Sequence, residues 1–283
     1  MKVLGRPESD ADVLNKEPRV LLIGMGWVGQ YINKYFTKAD TVDSDGFIKK
    51  DYDHYDLAVI SVPTPMLKTG RCDTSIVENV VDKYKDLVDI FLVKSTVEIG
   101  TCERLEEKYK VPVCMSPEYV GETLGHPLLE ARRDAFQIIG GNKEAREKVA
   151  EYFMTVLNAN APLLLVSHKE AEIIKYMENY WIAERVRYWN NVFDVCETFG
   201  ASFQAVREGI VLDPRMSRTH SNVYRNNRGF SGKCLPKDMN ALAYVMREKG
   251  NPIKDLEELL DKNAKVWRKG YKNSVPLLPN EKP

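Results

Sequence analysis

The chain has 283 residues, enough for two domains and a substantial buried core. Its apolar content of 43% and charged content of 29% are those of an ordinary globular protein. Forty-one basic residues balance forty-one acidic ones, so no global field recruits nucleic acid or an anionic membrane. The five cysteines (Cys72, Cys102, Cys114, Cys196 and Cys234) show no CxxC pair. An odd, dispersed set argues against a disulfide framework and against a zinc site, and reads as reduced thiols, mostly buried. The first eighteen residues lack the apolar core of a signal peptide, and no apolar run approaches the roughly 20 residues that span a bilayer. These features predict a cytoplasmic protein.

In chain order, residues 1–18 read as a loose polar arm. Arg19–Ile23 reads as a strand, Trp27–Phe36 as a helix, Leu57–Val62 as a strand and Ser75–Leu87 as a helix. Ile90–Val93, Pro112–Met115 and Phe136–Ile139 are further short apolar strands, with a helix at Thr101–Lys110. Strands alternating with helical patterns predict an α/β fold, a Rossmann-type doubly wound parallel sheet, over residues 1–167. Residues 168–283 are expected to form a mostly α-helical domain. From Lys169 to Phe199 there is no Gly or Pro, Gly200 stops the run, and apolar residues from Ile173 to Cys196 keep a helical period. Such a helix is on the order of 45 Å long. Its Tyr180, Trp181, Tyr188 and Trp189 point to a subunit interface, hence a homodimer. An Arg- and Asn-rich loop (213–233) precedes helices near Lys237–Lys249 and Ile253–Val266.

The first strand runs into Gly24-Met25-Gly26-Trp27-Val28-Gly29, followed by a helix. Gly24 permits a tight turn, Gly26 lets the backbone approach a pyrophosphate, and Gly29 lets helix pack on strand. Asp43, 19 residues beyond Gly24, is placed to bind an adenosine ribose and repel a 2′-phosphate, favouring NAD over NADP. The alternative is a structural turn with a solvated Asp43, since Asp45, Lys49 and Lys50 lie close by in sequence. Val62-Pro63-Thr64-Pro65, Lys94-Ser95-Thr96-Val97 and Ser116-Pro117-Glu118-Tyr119 each end a strand, the edge where such sheets bind ligands. Glu118 is either a reacting carboxylate or only a helix N-cap or a solvated loop charge. Lys175 and Asn179 share a helix face; with Glu172 and Glu178 beside them, they read either as a site or as a surface salt-bridge ladder. In Gly229-Phe230-Ser231-Gly232-Lys233-Cys234-Leu235-Pro236-Lys237-Asp238, a glycine-flexible loop delivers a thiol to a helix start. The helix N-terminus and neighbouring lysines favour the thiolate, the form that attacks carbon.

In this order, VPTP with Asp73 downstream, STVEIGT, SPEYVGE, AEIIKYMENYWIAERVRYWNNVFDVCETFG, DPRM and GFSGKCLPKDMNAL resemble the UDP-glucose/GDP-mannose dehydrogenase family over most of residues 19–270. The resemblance implies an NAD-dependent enzyme that oxidises the C6 alcohol of a nucleotide-sugar to a carboxylate with two NAD⁺. Cys234 would form a thiohemiacetal and then a thioester, and Lys175 and Asn179 would stabilise oxyanion charge. Asp238, through a water shared with Thr96, would act as general base and Glu118 would assist hydrolysis. The loop of Gly229, Phe230 and Gly232 would cradle the sugar, with Tyr119 and Glu122 near the nucleotide-sugar and Arg215 reaching a neighbouring subunit's substrate. Val62, Pro63 and Thr64 join the glycine turn at the cofactor.

Three departures stand out. Only 18 residues separate Asp43 from Val62, so the dinucleotide domain is expected to be trimmed. GFSGKC replaces the usual GFGGSC, which affects sugar identity. The sequence stops at Pro283, and the family's third, nucleotide-gripping domain is expected to be absent. Two other functions fit the residues: a two-electron dehydrogenase of β-hydroxyacid type, which has no use for Cys234, and a non-catalytic NAD or nucleotide-sugar binder.

Overall fold

The computed structural model describes residues 17–120 and 136–269. These form two compact units. The first comprises the residues up to Pro65 together with Asp73–Lys175; the second comprises Met66–Cys72 and the residues from Tyr176 onward. The expected boundary at 167/168 precedes the long helix, whereas the units divide within it.

The first unit is built on one eight-stranded sheet: β1 (Val20–Ile23), β2 (Asp40–Asp43), β3 (Gly46–Lys49), β4 (Leu57–Ile60), β5 (Phe91–Val93), β6 (Val113–Met115), β7 (Gln137–Gly140) and β8 (Leu163–Val166). Their spatial order is β3-β2-β1-β4-β5-β6-β7-β8. β2, β1, β4, β5 and β6 run parallel, while β3 pairs antiparallel with β2 and β7 antiparallel with β6. The segment around Phe136–Ile139 therefore enters the sheet against the direction of its neighbour, and starts a second parallel pair with β8.

β1 and β4 are buried at every position, which is why VLLI and LAVI are continuous apolar runs: helices cover both faces. Tyr31, Ile32 and Phe36 from α1 (Trp27–Asn33) and its exit pack on one face, with Val149 and Phe153 from α4 (Lys143–Met154). Val77 and Val81 from α2 (Ser75–Tyr84) and Leu105 from α3 (Thr101–Tyr109) pack on the other. The chain goes from β1 outward to β2 and then back to β4 on β1's other side. That reversal opens a crevice at the carboxyl ends of β1 and β4, where open α/β sheets take ligands.

α5 (His168–Phe199) is 32 residues long and ends at Gly200, whose φ of +67° suits glycine. In the second unit it is followed by α6 (Phe203–Ile210), α7 (Leu235–Glu248) and α8 (Lys254–Lys262), which continues into a π turn, Asn263–Trp267. Trp189 is 1% exposed and belongs to the core, so it is not part of an open aromatic face; Trp181 and Tyr188 are 65% and 44% exposed. Among the described residues, no helix is long and apolar enough to cross a membrane.

Candidate functional site

The glycine turn sits at the head of the crevice in the first unit. Gly24 has φ +89° and donates its N–H to the carbonyl of Val42 at 2.9 Å. A Cβ there would lie 2.6 Å from the carbonyl oxygen of Ser61, at the end of β4, so only glycine fits. A Cβ at Gly29 would lie 2.0 Å from the carbonyl oxygen of Gly24, whereas one at Gly26 would meet nothing. The middle glycine thus faces open space, as a backbone meant to approach a ligand must. Trp27 is half exposed and Val28 half buried beside it.

Asp43 ends β2, exposed, and accepts the N–H of Met25 at 3.3 Å and of Ser44 at 2.8 Å. Of the two lysines that crowd it in sequence, Lys49 pairs with Asp51 at 2.9 Å and Lys50 with Asp53 at 2.9 Å. Open backbone at Gly26 and a carboxylate at the end of β2 fit a dinucleotide: pyrophosphate against the turn, ribose hydroxyls on Asp43.

The next strand ends are laced together. Thr64 donates its hydroxyl to the carbonyl of Thr96 at 2.8 Å, and Ser95 to that of Val62 at 2.6 Å; Pro63 is exposed between them. Lys94, 3% exposed and given no role of its own in the sequence reading, donates to Ser116 Oγ at 3.0 Å, Pro117 O at 3.3 Å and Gln137 Oε1 at 3.3 Å. Burial pulls its pKa down; the Glu118 carboxylate pulls it back up and the Lys175 ammonium pushes it further down. A lysine directly after an apolar strand, at a ligand-binding edge, was the available signal.

Glu118 Oε1 accepts the N–H groups of Tyr119 and Val120 at 2.7 and 2.5 Å, and Lys175 Nζ donates to the Glu118 carbonyl while lying 5.3 Å from the centre of the Tyr119 ring. Lys175, Glu118 and Tyr119 therefore share one cluster. Glu122 lies outside the described residues. Glu172 is not on a surface ladder. It is fully buried and accepts the N–H groups of Gly100 and Cys102, capping α3 from another helix.

In the second unit, Cys234 occupies the N-cap of α7 and is exposed, whereas the other four cysteines are buried. One turn on, Asp238 is 1% exposed. Its Oδ2 accepts from Asn179 Nδ2 at 2.6 Å and its Oδ1 meets Lys237 Nζ at 2.7 Å. Lys237 also approaches Cys72 Sγ at 3.9 Å. Burial alone lowers the Lys237 pKa, but Asp238, Cys72 and Cys234 together outweigh it and hold the ammonium above its usual range. Gly229 (φ +68°), buried Phe230 and exposed Gly232 (φ +88°) lead into Cys234. Arg215 is exposed and folds back on Asp213, two residues before it, at 2.5 Å.

Sheet order, glycine turn and Asp43 define a Rossmann-type dinucleotide-binding unit, and the second unit is α-helical with a thiol at a helix start. Residues 39–157 match the NAD binding domain of the UDP-glucose/GDP-mannose dehydrogenase family, and residues 169–265 match that family's central domain. The chain belongs to the UDP-glucose/GDP-mannose dehydrogenase family. The UDP-glucose 6-dehydrogenase TuaD of Bacillus subtilis (strain 168) is 28% identical over 221 residues, covering 74% of this chain and 46% of that protein. The fold is similar to that of a UDP-glucose dehydrogenase from the hyperthermophilic archaeon Pyrobaculum islandicum (TM-score 0.75, 21% identity, 88% of this chain and 68% of that one). It is also similar to Mycobacterium tuberculosis 3-hydroxyisobutyrate dehydrogenase (TM-score 0.65, 14% identity, 88% and 94%). The chain spans about half the length of the curated relatives it matches.

Proposed function

We propose that this chain carries a nucleotide-sugar 6-dehydrogenase activity, with UDP-glucose or a close relative as substrate. The observation that carries the reading is Cys234, exposed at the N-cap of α7, with Asp238 one turn further on and held between Asn179 and Lys237. A binder or a two-electron dehydrogenase has no need of such a nucleophile.

When bound, NAD⁺ supplies the hydride acceptor, one molecule for each of two oxidations. The chain's residues do the rest. Asp238, held between an amide and an ammonium, accepts the C6 hydroxyl proton, by way of a water at Thr96. The C6 carbon then gives up hydride and becomes an aldehyde. The Cys234 sulfur adds to that carbon, forming a C–S bond, and the carbonyl oxygen takes the negative charge. Asn179 and Lys175, an amide donor and a cation, stabilise that charge. Loss of a second hydride leaves a thioester on Cys234. Water assisted by Glu118 adds to it, the C–S bond breaks, and a carboxylate and the thiol result. Gly229, Phe230 and Gly232 cradle the sugar, Tyr119 and Glu122 meet the nucleotide-sugar, and Arg215 serves a neighbouring subunit.

A homodimer belongs to the same proposal. Met177, Trp181, Tyr188, Val195 and Phe199 are all exposed, and at 100° per residue they lie within about 40° of one line along α5. An apolar stripe of this kind on a long helix calls for a second copy. Light scattering at micromolar concentration is expected to report a dimer; a monomer removes this part.

The test of the activity is NADH formation with UDP-glucose, then with GDP-mannose and N-acetylated UDP-sugars. Two NADH per uronate are expected; Cys234→Ser, which still binds NAD, is expected to stall after the aldehyde or lose net turnover. No Cys234-dependent NADH with any of these sugars would end the reading.

A further inference from the structure

The loop that delivers Cys234 is held by a residue far along the chain. Asn263 Oδ1 accepts the Phe230 N–H at 2.8 Å, and Asn263 Nδ2 donates to the Phe230 carbonyl at 3.0 Å. A single side-chain amide thus meets both polar groups of one buried residue, as a neighbouring β-strand would. The fit leaves no room to spare: a Cβ on Gly229 would lie 2.3 Å from Asn263 Oδ1 and 2.9 Å from Trp267 Cβ. Asn263 itself begins the π turn, where the Arg268 N–H reaches the Asn263 carbonyl at 2.8 Å. Such widened turns are rare in helices and are frequently found at functional sites.

On its other side the loop is tied to α5. Asn190 Oδ1 accepts from Arg228 Nε at 2.6 Å and from the Gly229 N–H at 3.3 Å. After Phe230, Ser231, Gly232, Lys233 and Cys234 are all exposed. Three residues separate the clamped peptide from the sulfur, so the place of Phe230 bounds the loop to within roughly 13 Å of extended chain.

We infer that Asn263 is the positioning residue of the 229–234 loop: its paired bonds to Phe230 hold the loop in the shape that receives the sugar and presents Cys234. The role rests on the function proposed above, since a fixed loop before a thiol matters only if both meet a substrate. It also gives position 229 its reason to be glycine, which a flexible-loop reading of the sequence does not.

Hydrogen exchange on the native protein is the first measurement: the Phe230 amide is expected to exchange at least tenfold more slowly than that of Lys233. Next comes alkylation of Cys234 by iodoacetamide, which requires no substrate. Asn263→Ala is expected to change that rate by about threefold or more, because the loop no longer fixes the sulfur's surroundings. Turnover with UDP-glucose is expected to fall about 100-fold in kcat, the scale of a misplaced reacting group, with NAD affinity unchanged. Should Asn263→Ala fail to fold, Asn263→Asp keeps the bond to the Phe230 N–H but sets a carboxylate oxygen against the Phe230 carbonyl. Its protected amide and alkylation rate are expected to return toward wild type as pH falls and the carboxyl regains a donor. A Phe230 amide that exchanges as fast as Lys233, or a variant with alkylation and kcat within twofold of wild type, overturns the inference. A wild-type chain that oxidises no nucleotide-sugar overturns the proposed function instead; exchange and alkylation still decide the clamp.

Discussion

Asn179 on α5 and Asp238 on α7 meet at 2.6 Å, amide nitrogen to carboxylate oxygen, both nearly sealed from water. Asp238 has its other oxygen on Lys237. The carboxylate is therefore held by one neutral and one charged donor, and each constrains what can replace the other. Asn179→Ala leaves a buried carboxylate oxygen short of its donor, at a cost of about 1–3 kcal/mol in unfolding free energy. Asn179→Asp sets two carboxyls against each other, and one proton has to be shared between them. The pair then has a raised pKa in the folded state, so folding takes up a proton and stability falls as pH rises. Thermal melts at pH 5 and pH 8 are expected to show Asn179→Asp losing more stability at pH 8; an equal loss at both would show that the two side chains do not share the site.

The Glu172 carboxylate, capping α3 through Gly100 and Cys102, is the second buried acid with a consequence. Burial raises its pKa, and the two backbone N–H groups lower it by less. Folded Glu172 therefore holds a proton at pH values where the unfolded chain has released one. Its contribution to stability is complete below the unfolded value of about 4.5 and declines as pH rises through the folded value. Glu172→Gln removes that slope and keeps one acceptor for the cap. Urea unfolding is expected to show a larger deficit for Glu172→Gln near pH 5 than near pH 8; a deficit that grows toward pH 8 would mean the N–H bonds outweigh burial.

How much of this was legible in the sequence depends on what each residue had to signal. β1, the glycine turn and α5 read directly, because four apolar residues before GxGxxG, and a Gly- and Pro-free run closed by Gly200, have few other outcomes. β2 and β3 did not. Asp40 in a central strand reads as a loop, yet it is fully buried, with the N–H groups of Asp51 and Tyr52 and the Tyr55 hydroxyl all on its carboxylate. Those partners, 11 to 15 residues away, satisfy the oxygens of the buried carboxyl, and periodicity does not see them. The same holds for Lys94, Glu172 and Asn263, whose meaning lies in distant backbone groups. Cys72 is the extreme case. Its segment falls between two strands of the first unit, but it groups with the second, where Arg71 lies 5.5 Å from the centre of the Tyr244 ring and Lys237 meets the Cys72 sulfur.

The five thiols are expected to separate cleanly by reactivity. Burial pushes Cys114 up to about 12 and Cys102 well above its ordinary value, and Cys72 and Cys196 are also buried. A thiol reagent at pH 7.5 attacks thiolates, so in the native protein it should label one site quickly, Cys234. Peptide mass spectrometry after brief alkylation checks this, and Cys234→Ser is expected to lose the fast phase while the four remaining thiols react only in denaturant. Fast labelling of Cys72 would show that the Lys237 ammonium activates the inner thiol and not the outer one.

Asp43 decides which dinucleotide the turn accepts. Its carboxylate stands exposed at the end of β2, and Lys49 and Lys50 are occupied by Asp51 and Asp53. Ribose hydroxyls gain from a charged acceptor, and a 2′-phosphate in the same place is repelled. Asp43→Ser keeps a small polar group and removes the charge. A hydrogen bond to a charged partner contributes about 1.5–3 kcal/mol, so NAD affinity is expected to fall roughly 10- to 100-fold. NADP affinity should hold or rise, because the repulsion goes with the charge. Trp27, 48% exposed and three residues past Gly24, gives a fluorescence signal for titrating both cofactors without any substrate. Equal losses for NAD and NADP would show that Asp43 only shapes the turn through the Met25 N–H, and discrimination between the cofactors would then have to come from another residue.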